Sequence, residues 1–250
     1  MKTSNTTSKK QLAYIFDTWF KLFPNAEPPD ATSTDIDILI NSLNLQTNHT
    51  IWDLGCGTGR HLRELASRNY INLQGIDLSE TALTYAQQNN PNNQINYINS
   101  DFRTYLTKED HNADIIYSLD FTFSLFPEDE LTRLLQAAMQ RINRRGYICI
   151  EMWDSQSVVH NHAMNIQRTH QLPHGNFTYQ SQYQPEAQTL VFTHSFQPEN
   201  QPLQILPPQV HYIYHDQQMK YIANRAGLAL TKSHQPVSPF GRHYIFQSDS

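Results

Sequence analysis

Residues 51–60 read IWDLGCGTGR, and three of the chain's eight glycines, Gly55, Gly57 and Gly59, fall inside this stretch. An apolar run precedes them and an amphipathic run follows, which predicts a strand, a tight turn and a helix. Glycine permits positive φ angles and leaves no Cβ in the way of a bound molecule. The free N–H groups at the start of the helix favour a ligand with a polar acceptor, such as a carboxylate. We therefore expect a nucleotide-like ligand to lie against this turn.

Strands and helices alternate on both sides of the glycine turn. Helices spaced between short strands predict a parallel sheet with helices on both faces. Strands are predicted at 51–54, 73–77, 95–99, 113–118 and 147–151, and helices at 11–23, 34–45, 59–69, 79–89 and about 128–142.

The pattern changes after Trp153, where polar and apolar residues alternate with a period of two. Antiparallel strands are expected at 177–183, 190–196 and 204–214, followed by a helix at 217–226 and two closing strands at 228–233 and 243–247. The predicted fold class is α/β, a doubly wound, seven-stranded Rossmann-like sheet with an antiparallel β insert after strand five. We divide the chain into an N-terminal helical segment or lid at 1–30, a Rossmann-like core at 31–157, a β-rich cap at 158–215, and the closing helix and strands of the core at 216–250.

Composition narrows the class of partner. The chain has 250 residues, with 18 basic and 23 acidic side chains and a formal net charge of −5, which argues against a broad nucleic-acid-binding surface. No apolar run approaches the roughly 20 residues that span a bilayer, and the polar N-terminus lacks a signal-peptide pattern, so we expect a cytoplasmic protein without a membrane partner. Cys56 and Cys149 are expected to be free thiols.

Two further acidic positions follow predicted strands. Asp77 ends the second strand, 18 residues after Gly59, where a carboxylate can accept both ribose hydroxyls of an adenosine. Asp101 follows the third strand, and Phe102 stands next to it. This pair is suited to bond the adenine amino group and to stack on its ring.

The spacing of the first motif is D-x-G-x-G-x-G, which differs from the dinucleotide pattern G-x-G-x-x-G. Together with the motifs at 75–79, 100–102 and 114–126, it resembles the class I S-adenosylmethionine-dependent methyltransferases over about residues 30–155 and the closing strands. The resemblance implies S-adenosyl-L-methionine as the cofactor and the transfer of its methyl group by in-line displacement. The implied cofactor-binding residues are Asp53, Gly55, Cys56, Gly57, Gly59 and Arg60 at the methionine moiety, Asp77 and Leu78 at the ribose, Asp101 and Phe102 at the adenine, and Ser118 and Leu119 near the sulfonium.

A looser resemblance to small-molecule N- or O-methyltransferases comes from the N-terminal aromatic helix, the segment 121–123 and the β-rich insert. It implies a small-molecule acceptor, and a homodimer is expected as the assembly. Aromatic faces that suit a cationic acceptor are Tyr14, Phe16, Trp19, Phe121 and Phe123. The candidate catalytic residues are His160, His162, His211 and Asp120, with His215 and His243 as further histidines to test. No metal site is predicted, because the paired histidines lack an acidic or cysteine partner at suitable spacing.

Other interpretations remain open at this point. The same sequence is compatible with an RNA or protein methyltransferase, although the acidic balance disfavours RNA. It is also compatible with a non-catalytic, regulatory protein that binds the cofactor and lacks an acceptor pocket. Each candidate histidine has a structural alternative, and the helix at 11–23 has the alternative of plain core or lid.

Overall fold

A computed structural model describes residues 8–23, 29–90, 93–108, 110–160, 165–236 and 238–248. Two helices come first, α1 (Lys9–Leu22) and α2 (Pro29–Leu43). The alternating part follows with β1 (Thr50–Leu54), α3 (Arg60–Ser67), β2 (Asn72–Asp77), α4 (Glu80–Gln88), β3 (Ile95–Asn99), α5 (Phe102–Lys108), β4 (Ala113–Ser118), a 3₁₀ turn (Thr122–Leu125), α6 (Glu128–Met139) and β5 (Ile142–Trp153).

The remaining elements form the insert and the end of the core. They are α7 (Ser155–His160), β6 (Ile166–Leu172), β7 (Gly175–Gln184), β8 (Thr189–Pro198), β9 (Gln204–Ile205), β10 (Gln209–Tyr212), α8 (Asp216–Arg225), β11 (Leu228–His234) and β12 (Gly241–Ser248).

The main sheet has seven strands in the order β3-β2-β1-β4-β5-β12-β11. The first five strands are parallel to one another, and β12 is antiparallel to both β5 and β11. Chain order reverses between β1 and β4, and the loops that leave these strands therefore border the crevice in which such sheets bind ligands. This arrangement confirms the predicted fold class.

Alternate residues of the strands face opposite layers of helices. Ile51, Ile115 and Cys149 face the layer that includes α2 and α3, whereas Trp52 and Ile116 face the layer of α5, α6 and α8. Both layers are apolar and buried, as expected for a parallel sheet that is covered on both sides.

The antiparallel insert is a second sheet, in the order β10-β8-β7-β6 with β9 beside β8. The strand β6 was not predicted because five of its seven residues are exposed, so it lacks an apolar pattern. Its pairing with β7 holds it in the sheet. The prediction of one continuous strand over 204–214 is wrong. Pro207 and Pro208 lack the N–H that a ladder needs, and they separate β9 from β10. The prediction also missed α5 and α7.

No helix within the described ranges is both long enough and apolar enough to cross a membrane. Both cysteines are free and buried, which confirms that expectation. The four-part division of the chain stays a prediction.

Candidate active site

The glycine turn joins β1 to α3 at the point where the strand order reverses. Gly55, Gly57 and Gly59 have φ angles of 82°, 53° and 74°, a region that other residues rarely adopt. The amides of Gly55 and Cys56 both donate to the carbonyl of Ile76, at 2.8 and 3.2 Å, which ties the turn to β2. The turn therefore needs glycine for its conformation, as the sequence predicted.

Asp77 stands at the end of β2 and is fixed by two backbone donors. Its Oδ2 accepts from the amide of Gly57 at 2.7 Å, and its Oδ1 accepts from the amide of Ser79 at 2.8 Å. Burial raises the pKa of Asp77, and these backbone hydrogen bonds oppose the rise. A carboxylate has about four acceptor positions, so both oxygens retain capacity for ligand hydroxyls.

Asp53 is a buried carboxyl at the end of β1, 2% exposed. Its Oδ2 has no hydrogen-bond partner among the described residues. Burial raises the pKa of Asp53 to about 8, and the charges of Asp120 and Asp77 add to the rise, while Tyr117 opposes it. The charge of Arg60 also opposes the rise. A buried acid with an unpartnered oxygen is suited to a cationic group of a ligand.

Arg60 begins α3 and bridges several elements. Its guanidinium donates to both carboxylate oxygens of Asp120, at 2.9 and 3.0 Å, and also to Thr32 at 2.9 Å and Asp35 at 3.5 Å. This fork orients the turn that follows β4, where Asp120 was predicted to be catalytic. Both bonds to Asp120 come from one guanidinium nitrogen, and because they engage both carboxylate oxygens, the geometry favours a positioning role for Asp120.

The turn after β4 has an unusual backbone. Asp120 and Phe121 are consecutive non-glycine residues with positive φ angles, 55° and 61°. Such residues cost of order 1–3 kcal/mol each and cluster at functional sites. The amide of Asp120 donates to Oε2 of Glu151 at 2.9 Å, and Phe121 stacks on Trp153 with ring centroids 3.8 Å apart.

Asp101 and Phe102 lie at the end of β3, at the same edge of the sheet. Burial acts to raise the pKa of Asp101, but hydrogen bonds and charge from Arg103 outweigh it and hold that pKa below the usual range. Phe102 stacks on Phe123 with centroids 5.5 Å apart. Phe123 is only 1% exposed and lies in the α5–α6 core, so its position indicates core packing and does not favour the predicted contact with an acceptor.

Helix α1 covers the glycine turn. Oδ1 of Asp17 accepts from the Ser79 hydroxyl at 2.5 Å and from the Thr81 amide at 3.2 Å, which docks α1 on the start of α4. The ring of Phe20 lies so close to Gly57 that a Cβ there would be 2.9 Å from it. The helix at 11–23 is therefore a cover over the turn, which was one of the two alternatives for it.

The predicted acceptor-binding residues of α1 are dispersed. Trp19 packs edge-on against Phe177 and His194, both of the second sheet, and thus links α1 to that sheet. Phe16 packs against the main core, and the side chain of Tyr14 is half exposed.

The predicted catalytic histidines do not converge. Nδ1 of His211 accepts a 3.0 Å hydrogen bond from the indole N–H of Trp153, and burial lowers the pKa of His211 to about 3. This bond uses the lone pair that a general base needs, so the geometry favours a structural role. The side chain of His160 and the whole of His162 lie outside the described residues. His215 caps α8, and His243 is buried on β12.

The predicted cofactor residues, in contrast, share one edge of the sheet. They lie in the turn or at the carboxyl ends of β1, β2, β3 and β4: Asp53, Gly55, Cys56, Gly57, Gly59, Arg60, Asp77, Leu78, Asp101, Phe102, Ser118 and Leu119. Ser118 uses its hydroxyl to bond the carbonyl of Leu54 at 2.6 Å, and Leu119 is buried.

Sequence reasoning missed four residues of this region: Asp17, Phe20, Glu151 and Trp153. Glu151 and Trp153 lie at the carboxyl end of β5, and the strand-end rule that singled out the acids Asp77 and Asp101 also applies to Glu151. The other two are set by the docking of α1, for which the sequence carries no local signal.

Residues 51–146 match the sequence family described as "Methyltransferase domain". Among solved structures, the chain is similar to the CcbJ methyltransferase from Streptomyces caelestis (20% identity, TM-score 0.73, covering 98% of this chain and 99% of that one). It is also similar to a sugar N-methyltransferase from Streptoalloteichus (14%, TM-score 0.69, 94% and 93%) and to magnesium protoporphyrin IX methyltransferase from Synechocystis with bound S-adenosylmethionine (13%, TM-score 0.60, 99% and 100%). No curated protein matches. At these identities the structural likeness establishes the fold.

Proposed function

We propose that this chain, in which residues 51–146 match the methyltransferase domain, is a class I methyltransferase that transfers the methyl group of S-adenosylmethionine to nitrogen or oxygen of a small molecule. The observation that carries the proposal is the coupling of the glycine turn to Asp77, whose carboxylate bonds the amide of Gly57 at 2.7 Å. One contact thus fixes both the surface against which a nucleoside lies and the acid that bonds its ribose.

The chemistry of the side chains fits this cofactor. S-adenosylmethionine carries a ribose diol, a carboxylate, an ammonium and a sulfonium. Asp77 suits the diol, and the first amides of α3 suit the carboxylate. Asp53, with its unpartnered Oδ2, suits a positive charge. When bound, the cofactor supplies a methyl group that is already activated for displacement.

The residues of this chain then orient the reactants and exclude water. Holding two reacting groups in line lowers a barrier by roughly 7–11 kcal/mol in favourable cases. Arg60 fixes the turn after β4, and α1, docked through Asp17, closes the glycine turn from above. Phe20 lies against Gly57, so its ring borders the surface on which the cofactor is proposed to lie.

A small-molecule acceptor is favoured over a nucleic acid by the net charge of −5. Two of the similar structures are named for small acceptors, a sugar in one case and magnesium protoporphyrin IX in the other. The predicted homodimer and the cytoplasmic location stay predictions.

The direct test is a transfer screen with tritiated methyl donor over amines, phenols, carboxylic acids and thiols, with RNA and protein fractions in parallel. We expect label in one small-molecule class and S-adenosylhomocysteine as the second product. Label in RNA or protein instead would replace the acceptor assignment. Cofactor binding with no labelled product from any acceptor would indicate a regulatory, non-catalytic protein.

A further inference from the structure

Glu151 is a buried carboxyl at the acceptor side of the sheet that no part of the proposed function uses. It is 6% exposed and lies near the end of β5. Its Oε2 accepts from the amide of Asp120, while its Oε1 lies against Gly241, where a Cβ would clash with it. Two neighbouring elements therefore fix the orientation of this side chain.

The charges around Glu151 are predominantly negative. Asp120 and Asp35 lie close to it, and both act to raise its pKa. Arg60 is also near, but its guanidinium forks onto Asp120 and bonds Asp35. The other titratable groups near this position are Cys149 on the same strand and His243, which pairs with Glu151 from β12. His61 on α3 lies near His243 and Asp35. Burial lowers the pKa of His243 to about 4, so at neutral pH it adds no positive charge.

An aromatic surface adjoins the carboxyl. Phe121 follows Asp120, Trp153 lies two residues after Glu151, and their rings stack with an interplanar angle of 6°. Aromatic faces attract cations. An oxygen nucleophile becomes anionic when it loses its proton, whereas an amine arrives as a cation. The negative surroundings of Glu151 disfavour an anionic oxygen nucleophile and stabilise a cationic amine.

Resting on the methyl transfer proposed above, we propose that the acceptor is an amine and that Glu151 holds its ammonium group and removes its proton. The ammonium gives one proton to the carboxylate, which leaves a neutral amine and a carboxylic acid. The nitrogen lone pair forms the new N–C bond while the C–S bond breaks and its electron pair stays on sulfur. The product is an N-methylated ammonium and a neutral thioether.

Three probes with the same ring test the charge preference: benzylamine, benzyl alcohol and benzoate. Each is titrated into protein saturated with S-adenosylhomocysteine, and binding is followed by NMR. We expect benzylamine to bind about tenfold more tightly than benzyl alcohol, as one charge-assisted hydrogen bond allows, and benzoate to bind least. Glu151→Gln is expected to remove this advantage, while Glu186→Gln, on the exposed turn between β7 and β8, retains it.

The pH dependence separates a titrating group from a merely structural one. Because burial and Asp120 raise the pKa of Glu151 to about 8, benzylamine affinity is expected to increase as pH rises from about 6 to about 8. In Glu151→Gln this rise is expected to disappear. Asp120→Asn leaves Glu151 in place and removes a negative charge beside it, so it is expected to weaken benzylamine severalfold when both proteins are compared at about pH 9, where Glu151 is ionised in each.

Binding of S-adenosylhomocysteine is measured first for every variant, which separates failure of folding or of the proposed function from failure of this inference. If Glu151→Gln does not bind S-adenosylhomocysteine, the inference is tested by comparing the benzylamine affinity of Asp120→Asn with that of the wild type. Equal or tighter binding of benzyl alcohol or benzoate overturns the proposal, as does undetectable benzylamine binding to the saturated wild-type protein. An unchanged preference in the Gln variant overturns the role of Glu151.

Discussion

Asp53→Asn is expected to change how the stability of the protein depends on pH. In the folded protein the pKa of Asp53 is about 8, compared with an ordinary value of 3.8. Between these values the folded state holds a proton that the unfolded state has released. The stabilisation is fully present below the ordinary pKa and is lost as pH rises towards 8. An asparagine cannot titrate, so the variant loses this dependence.

The magnitude follows from the number of protons. One group that is protonated when folded and ionised when unfolded changes the free energy of unfolding by about 1 kcal/mol per pH unit. Buried histidines act in the opposite sense, because burial lowers the pKa of His194 and His211 to about 4 and about 3. They contribute stability above their ordinary pKa of 6.5 and lose it as pH falls below that value, and their effect on the slope becomes small only from about one pH unit above 6.5.

Urea denaturation is measured at about pH 6.5, 7.0 and 7.5. Because the histidines are the same in the wild type and in Asp53→Asn, the difference between the two slopes isolates the contribution of Asp53. Wild-type stability is expected to fall across this window, and in Asp53→Asn the slope is expected to be smaller by about 1 kcal/mol per pH unit. Glu151 and Asp77 keep their contributions in both proteins. Asp110→Asn, at an exposed carboxyl, serves as the control and is expected to keep the wild-type slope. An Asp53→Asn slope equal to that of the wild type would refute the reasoning.

Two further substitutions test the turn and its cover. Gly59→Ala places a Cβ at a φ of 74° and against the ring and hydroxyl of Tyr97, and it is expected to lower the free energy of unfolding by about 1–3 kcal/mol. Gly227→Ala has the same φ but only the Met139 side chain nearby, at 3.1 Å, so urea denaturation is expected to show a smaller loss; equal losses would contradict the role of Tyr97. Asp17→Ala removes the bonds from α1 to α4, and amide hydrogen exchange is expected to increase in α1 and not in α2. Unchanged exchange in α1 would show that these bonds do not hold the cover.

The parallel sheet, and the edge that brings the predicted cofactor residues together, were predictable because their signals are local. Gly55, Gly57 and Gly59 mark a backbone that only glycine adopts readily, and Asp77 follows a strand whose boundaries are visible in its apolar run. Parallel strands end at one edge, so residues that follow strands meet there whatever the details of the loops.

The acceptor side was less predictable because it depends on contacts between distant segments. Twelve histidines offered no criterion for choosing among them, and the hydrogen bond from Trp153 that occupies His211 joins residues 58 apart in sequence. Phe123 was an aromatic residue beside a predicted site, yet the 3₁₀ turn directs it into the core. Glu151 was overlooked because its strand was read as a core element and its partner, the amide of Asp120, belongs to a turn of unusual conformation.

Isothermal titration of S-adenosylmethionine into the wild-type protein and Asp77→Asn tests the central claim most directly. An asparagine retains one acceptor oxygen but cannot accept from both Gly57 and Ser79 while bonding a ribose diol. We expect saturable binding at one site per chain in the wild type and binding at least about tenfold weaker in the variant. No binding to the wild type at millimolar cofactor, or equal affinity in the variant, would contradict the account.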